Sequence, residues 1–177
     1  MTTIRPFEAE DLFKICKINL DSFTETYNLS FYLQYLVYWP ELCMVAENMH
    51  GQLMAYILGK TEGEGENFHG HITAVSTDPD FRRLGIAGQL MRRLEVILNR
   101  YRCYYVDLFV RVSNTVAVQT YKSLGYVVYR RVIDYYSGEV DEDAFDMRKP
   151  LLIDVGRRSI RPTKLVVRPQ ELYGDEM

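Results

Sequence analysis

Between two regular patterns of different period stands Phe81-Arg82-Arg83-Leu84-Gly85-Ile86-Ala87. Ahead of it, Gly70-His71-Ile72-Thr73-Ala74-Val75-Ser76 alternates and is rich in β-branched residues, a strand pattern. Behind it, Ile86, Ala87, Leu90, Met91, Leu94, Ile97 and Leu98 fall on one helical face. The stretch is therefore a strand-to-helix turn. The first amides of such a helix lack internal partners and lie at the positive dipole end, so the turn can receive phosphate oxygens. Gly85 admits close backbone approach, and Arg82 and Arg83 add charge. No Gly-Lys-Ser/Thr follows, so it is not a P-loop, and it lacks the three glycines of a dinucleotide turn. Paired arginines before a helix also read as a solvated face. The order of elements around the turn has to decide between the two.

At 177 residues the chain is long enough for one domain with a single good-sized core, or for a domain and a tail. Its 47% hydrophobic and 25% charged residues are ordinary for a globular protein. Fourteen tyrosines are an excess, suited either to lining a groove or to the edge of a core. A net charge of −3 makes no global demand for nucleic acid or an anionic membrane. Cys16, Cys43 and Cys103 each sit in an apolar run and read as reduced core thiols of a cytosolic protein, not as a disulfide or zinc framework. No h-region opens the chain and no stretch reaches spanning length, so neither secretion nor insertion is expected.

Taken in order, Thr3–Phe7 reads as a strand and Asp11–Leu20 as a first helix. A loop covers Asp21–Leu29, and Ser30 caps a helix over Phe31–Trp39 that Pro40 stops. That second helix is apolar nearly all round, so it needs cover on both sides, from the C-terminal tail or from a partner subunit. Leu42–Glu47 and Gln52–Gly59 form a hairpin closed by Gly51. After the strand Phe68–Ser76 and the helix to Arg100 comes an apolar strand, Cys103–Val110. Ser113 or Asn114 caps a helix through Ser123 that Gly125 ends, and strands follow at Tyr126–Ile133 and Ala144–Arg148. The expected fold is α/β with a mixed α+β sheet, in the order β-α-α-β-β-β-α-β-α-β-β, over residues 1–150. Residues 151–177, basic and punctuated by prolines, read as an extended or disordered tail.

In that setting Arg82, Gly85 and Ala87 match the motif Arg/Gln-x-x-Gly-x-Gly/Ala, and Asn114, Ala117, Tyr121, Gly125 and Tyr126 match a second motif of the same family. Residues 1–150 thus resemble the GCN5-related N-acetyltransferase (GNAT) superfamily. Five further blocks, Leu20–Tyr27, Phe31–Leu36, His69–His71, Asp107–Asn114 and Asp141–Arg148, resemble the catalytic subunits of NatB-type N-terminal acetyltransferases. The resemblance implies acetyl-CoA as donor, and as acceptors nascent N-termini beginning Met-Asp, Met-Glu, Met-Asn or Met-Gln. It also implies a large helical-repeat auxiliary subunit that anchors the enzyme to ribosomes, a cytoplasmic location extending to the nucleus, and no metal. Where the family often has Gly after its Glu-Thr-Tyr, this chain has Asn28, which also tolerates left-handed geometry.

The chemistry follows residue by residue. An α-amine titrates near 8 and a lysine near 10.4, so at pH 7 roughly a tenth of the former is neutral, and a mild base suffices. The amine can then attack the thioester directly. By resemblance Arg82, Arg83, Leu84, Gly85, Ile86 and Ala87 cradle the pyrophosphate, with Thr73, Ala74, Val75 and Asn114 also on the cofactor. An amide from Thr73–Val75 could hold the developing oxyanion. The resemblance also implies that Tyr121 protonates the departing thiolate, against a reading as a core tyrosine. Asn114 reads as a helix cap as well as a contact. His69 and His71 lie on one strand face without further metal ligands nearby. His71 reads as a donor to the second acceptor residue, as a water-mediated base, or as a groove-edge histidine with one structural bond. By the same resemblance Glu25, Tyr27, Asn28, Thr73, Tyr135 and Tyr136 would wall the peptide, while Tyr135 and Tyr136 by themselves also read as an ordinary strand-end pair. Two other readings remain: an acetyltransferase of lysine or small amines, and a non-catalytic binding module that keeps the fold.

Overall fold

The computed structural model describes residues 1–20 and 22–172. Asp21, where the loop reading begins, and the last five residues of the tail lie outside the described residues. The strands are β1 (Thr2–Pro6), β2 (Cys43–Asn48), β3 (Leu53–Glu62), β4 (His69–Thr77), β5 (Tyr105–Arg111), β6 (Val127–Tyr136), β7 (Glu142–Pro150) and β8 (Val166–Val167). They form one sheet in the order β1-β2-β3-β4-β5-β7-β6-β8. β4 pairs parallel with β5 and β6 parallel with β8, while the other pairs are antiparallel. The α-helices are α1 (Leu29–Tyr38), α2 (Ile86–Arg100) and α3 (Thr115–Ser123). The expected mixed α+β architecture is thus observed, with two differences in the string of elements.

The first difference is the expected first helix. Asp11–Leu20 does not form an α-helix; the segment holds two 3₁₀ turns, Ala9–Phe13 and Ile18–Leu20. Ile15 and Ile18 are buried and Leu12 half-buried, whereas Phe13 is 83% exposed. An apolar spacing of three matches the 3₁₀ repeat and not a 3.6-residue stripe. Asp11 pins the first turn, taking two bonds from Arg5 on β1 and one from the Glu8 amide. The second difference lies beyond Pro150, read as an extended or disordered arm. Up to Leu172 this segment returns to the sheet: Leu151 and Val167 are buried, and β8 pairs with β6. α1 also starts earlier than expected, because Asn28 and not Ser30 is its cap; the Asn28 side chain accepts from the Phe31 amide at 2.9 Å.

Strand alternation divides the interior into two layers. Ile72, Val106, Leu108 and Met147 meet Leu90, Leu94 and Leu98 of α2 on one face. Tyr35, Val45, Tyr56 and Leu58 form the other layer under α1. Burying each leucine of α2 contributes about 1.5–3 kcal/mol, so this helix is the main fastening of the sheet. Two glycines let it lie close: a Cβ at Gly59 would stand 2.6 Å from Leu94 Cδ1, and one at Gly70 would collide with Leu98. No helix among the described residues is long and apolar enough to cross a membrane.

Candidate active site

The parallel pairing of β4 with β5 runs from His69↔Tyr105 to Ile72↔Leu108 and goes no further. At the same point the register of β4 against β3 shifts, Leu58 facing Ala74 and Gly59 facing Ile72, so Thr73 is the extra residue of a bulge. A bulge bends its strand. The two central strands therefore fork at Thr73, and the edge of Thr73–Val75 toward β5 opens where both chains turn into helices.

The helix after β4 begins in an exposed turn. Arg83 (φ 63°) and Gly85 (φ 73°) are left-handed, and a Cβ on Gly85 would meet nothing within 4 Å. The first α-helical bond runs from the Gln89 amide to Gly85. The amides before it stand outside the ladder at the positive end of a 15-residue helix, beneath open space. This arrangement fits a pyrophosphate, so Arg82–Ala87 together with Thr73–Val75 could hold acetyl-CoA. Asn114 stands at the start of α3, after β5, where its side chain accepts from the Ala117 amide at 3.2 Å; its observed work is that of a cap.

On the other face of the fork lies an aromatic groove. Tyr27 stacks on Phe31 with ring centroids 4.1 Å apart, Phe31 leans on Tyr35 at 4.9 Å, and the Tyr35 hydroxyl meets Thr73 Oγ1 at 2.6 Å. Opposite, the His71 ring leans on Phe109 (5.5 Å), Phe109 on Tyr135 (4.7 Å), and Tyr135 on Tyr136 (5.0 Å). Arg111 joins the two walls: Nη2 donates to Glu25 at 2.6 Å, Nη1 to Glu142 at 3.2 Å, and the guanidinium lies 4.2 Å from the Tyr136 ring centre. Its Nε is buried with no hydrogen-bond partner. Glu25 is thus held as an ion-pair partner.

The groove floor carries a charge ladder. His71 faces Asp107 directly in the β4–β5 register, with Nδ1 2.7 Å from Oδ1. His69 Nε2 is 3.6 Å from the same carboxylate, and its ring stacks on Tyr105 at 4.5 Å. Burial alone would lower the His71 pKa, but the Asp107 charge and hydrogen bond outweigh it and hold the value above the ordinary one. Burial likewise works against ionising Asp107, and the charge and hydrogen bond of His71, together with the charges of His69 and Arg148, more than offset it, so that carboxyl titrates below its usual range. Beyond Asp107 stand Arg148, its neighbour on β7, and the buried Asp146 paired to Arg148 and Arg130. A cavity of about 330 Å³ near Arg148, Asp154 and Ser159 is set off on the β7 side; there Arg148 donates to the Ser159 carbonyl at 3.4 Å and the Ser159 hydroxyl donates to Asp154 at 2.6 Å.

Tyr121, on α3, packs against the core layer that holds α2, on the sheet face opposite His71. Burial pushes its hydroxyl up to about 12. Of the cysteines expected in the core, Cys43 and Cys103 are buried but Cys16 is exposed, between the inward-facing Ile15 and Ile18; burial raises Cys43 to about 12 and Cys103 to about 11, so neither of these thiols ionises readily.

Of the expected residues, the structure gathers Thr73–Val75 with the turn, and Glu25, Tyr27, His71, Tyr135 and Tyr136 in the groove. Asn28 is the cap of α1, with φ −71°, and needs no left-handed backbone. Phe31, Tyr35, Asp107, Phe109 and Arg111 were not foreseen as site residues. Asp107 carried a signal, an acid inside an otherwise apolar strand, and Arg111 follows the same run.

Comparison with known proteins agrees with this geometry. The acetyltransferase (GNAT) family model matches residues 12–126. The "N-alpha-acetyltransferase 20" of Dictyostelium discoideum is 57% identical over 97% of this chain and 98% of its own length. The "N-terminal acetyltransferase B complex catalytic subunit NAA20" of Arabidopsis thaliana is 51% identical over 99% and 100%. The crystal structure of Chaetomium thermophilum Naa20 with a bisubstrate analogue superposes with a TM-score of 0.89 at 46% identity, covering 95% of this chain and 97% of that one. The chain belongs to the acetyltransferase (GNAT) family and, within it, to the catalytic subunits of N-terminal acetyltransferase B.

Proposed function

We propose that the protein acetylates the α-amine of nascent chains beginning Met-Asp, Met-Glu, Met-Asn or Met-Gln, paired with a helical-repeat auxiliary subunit that brings it to ribosomes in the cytoplasm and also serves it in the nucleus. The observation that carries this reading is the fork at Thr73, which puts a phosphate-type turn on one side and a two-walled aromatic groove on the other. A bisubstrate analogue bound to the Chaetomium relative is what such a joined site would accept.

Acetyl-CoA, when bound, supplies an activated acyl group with a thiolate leaving group. The chain's own residues do the rest. Amides of the α2 turn bind and orient the donor, and an open amide of Thr73–Val75 faces the place where negative charge develops. Tyr121, protonated at every physiological pH, donates toward the departing sulfur. Tyr27, Tyr135 and Tyr136 exclude water from the acceptor amine, and Glu25, fixed by Arg111, offers its remaining lone pairs to the peptide backbone or ammonium.

An auxiliary subunit is supported by α1. Its inner face buries Tyr32 and Tyr35, while Leu29, Leu33, Val37 and Tyr38 are exposed, with Phe13 and Leu20 exposed on the preceding turns. The described part of the tail does not cover them, since β8 pairs at the other end of the sheet. An apolar face of this kind marks a protein interface. The test is a rate panel on Met-Asp, Met-Leu and Ser-Glu peptides with the auxiliary subunit present. A marked preference for Met-Asp is expected; equal rates on all three would remove the acceptor assignment.

A further inference from the structure

Asp107 is a buried ionisable group of the groove floor that catalysis as described above does not use. It is 5% exposed, inside an otherwise apolar strand, and its carboxylate lies between the two histidines of β4. A carboxylate accepts and does not donate, so the 2.7 Å contact requires a hydrogen on His71 Nδ1. The other ring nitrogen, Nε2, lies on the far side of the ring from Asp107. The ring itself leans on Phe109, which leans on Tyr135, so it belongs to the acceptor wall. Asp107 thus fixes the orientation of His71 and supplies the countercharge that makes a proton on Nε2 favourable.

The other charged and titratable groups around the pair do not change the sign. Lys60 and Glu62 of β3 are paired with each other. His69 stacks on Tyr105, with Nδ1 2.5 Å from the Asn67 carbonyl. Arg148 of β7 is paired with Asp146. On this side of the sheet α1 contributes Tyr35, bonded to Thr73, and β6 contributes Tyr135, packed on Phe109. Asp107 is the one carboxylate in hydrogen-bond contact with His71 among the described residues.

We propose that Asp107 is a positioning residue for specificity: it holds His71 as a cationic donor toward the side chain of the acceptor's second residue, and so favours Met-Asp over Met-Asn. This rests on the acceptor reading given above. It also separates two roles for His71, because a doubly protonated imidazole has no lone pair with which to take the amine proton. His71 is then a reader of the acceptor and not the base.

The experiment uses the catalytic chain assembled with its auxiliary subunit. Asp107→Asn is isosteric and keeps a hydrogen-bonding group in the buried position. First, the histidines are labelled with ¹³C and titrated by NMR; the chain has only three, so His71 can be assigned with His71→Gln. The His71 midpoint falls in Asp107→Asn. Second, kcat/KM is measured on Met-Asp and Met-Asn peptides across pH, and their ratio is used so that titration of the α-amine cancels. In the wild type the ratio falls as pH rises through the His71 midpoint. In Asp107→Asn it is about tenfold lower at neutral pH, the difference between a charge-assisted and a neutral hydrogen bond. Third, Asp107→Asn introduced into His71→Gln lowers the ratio no further. An unmoved His71 midpoint, an unchanged ratio, or an equal loss in the His71→Gln background overturns the proposal. If the wild type acetylates neither peptide, the acceptor reading fails, and the NMR midpoint still decides whether Asp107 holds the charge.

Discussion

The turn proposed for the donor and the groove proposed for the acceptor are built by different means. The turn is one contiguous segment, Arg82–Ala87, and it works through backbone: two left-handed residues followed by amides outside the helical ladder. The groove has no such segment. Its parts come from the loop before α1, from α1, and from β4, β5 and β6, and side chains join them, Arg111 above all. A backbone site suits a donor that never changes. Side chains that meet across the fold are where a choice among acceptors can be made, and each joint is a place where that choice can be broken.

The largest expected effect lies where the two halves meet. Tyr121→Phe lowers kcat by roughly 10² with little change in either KM, as for a group acting mainly in the transition state. It should act equally on every acceptor, and steady-state kinetics that show an unchanged kcat would take Tyr121 out of the chemistry. Arg111→Ala comes next. Losing the contacts to Glu25, Glu142 and Tyr136 releases both walls, and we expect about a tenfold loss in kcat/KM for peptide, mainly through the peptide KM. The acetyl-CoA KM should stay put; a rise there would blur the division between the halves. Gly85→Ala is the converse. A side chain at φ 73° costs about 1–2 kcal/mol, visible as a lower Tm, and weakens acetyl-CoA binding with peptide preference preserved.

The smallest effect is on stability. With the folded His71 pKa raised above about 6.5, its stabilising contribution is complete below that pH and is lost as pH rises through the folded value. A shallow fall in Tm over that window should follow, and Asp107→Asn should flatten it.

The same division explains what could be read from the chain. The turn was legible because strand period, turn and helix period are local and consecutive, and Gly85 takes the left-handed conformation its position demands. The groove was legible only through resemblance. No spacing in the sequence pairs Arg111 with Glu25, 86 positions away, or His71 with Asp107, 36 positions away. The tyrosine excess likewise had two meanings and the fold uses both: Tyr56 and Tyr126 are fully buried, while Tyr27, Tyr135 and Tyr136 line the groove. The 3₁₀ turns after β1 were missed because a spacing of three, seen over a few residues, is easily taken for one of 3.6. The cap of α1 was missed because Ser30, two residues on, offers an equally suitable side chain.

The central claim is that acceptor choice resides in the groove and not in the donor turn. The most direct measurement is the ratio of kcat/KM for Met-Asp over Met-Leu peptides in the assembled complex, for the wild type, Gly85→Ala and His71→Ala. Gly85→Ala should lower both rates and leave the ratio unchanged, while His71→Ala should collapse it. A ratio that follows the donor variant, or that survives His71→Ala, would contradict the claim.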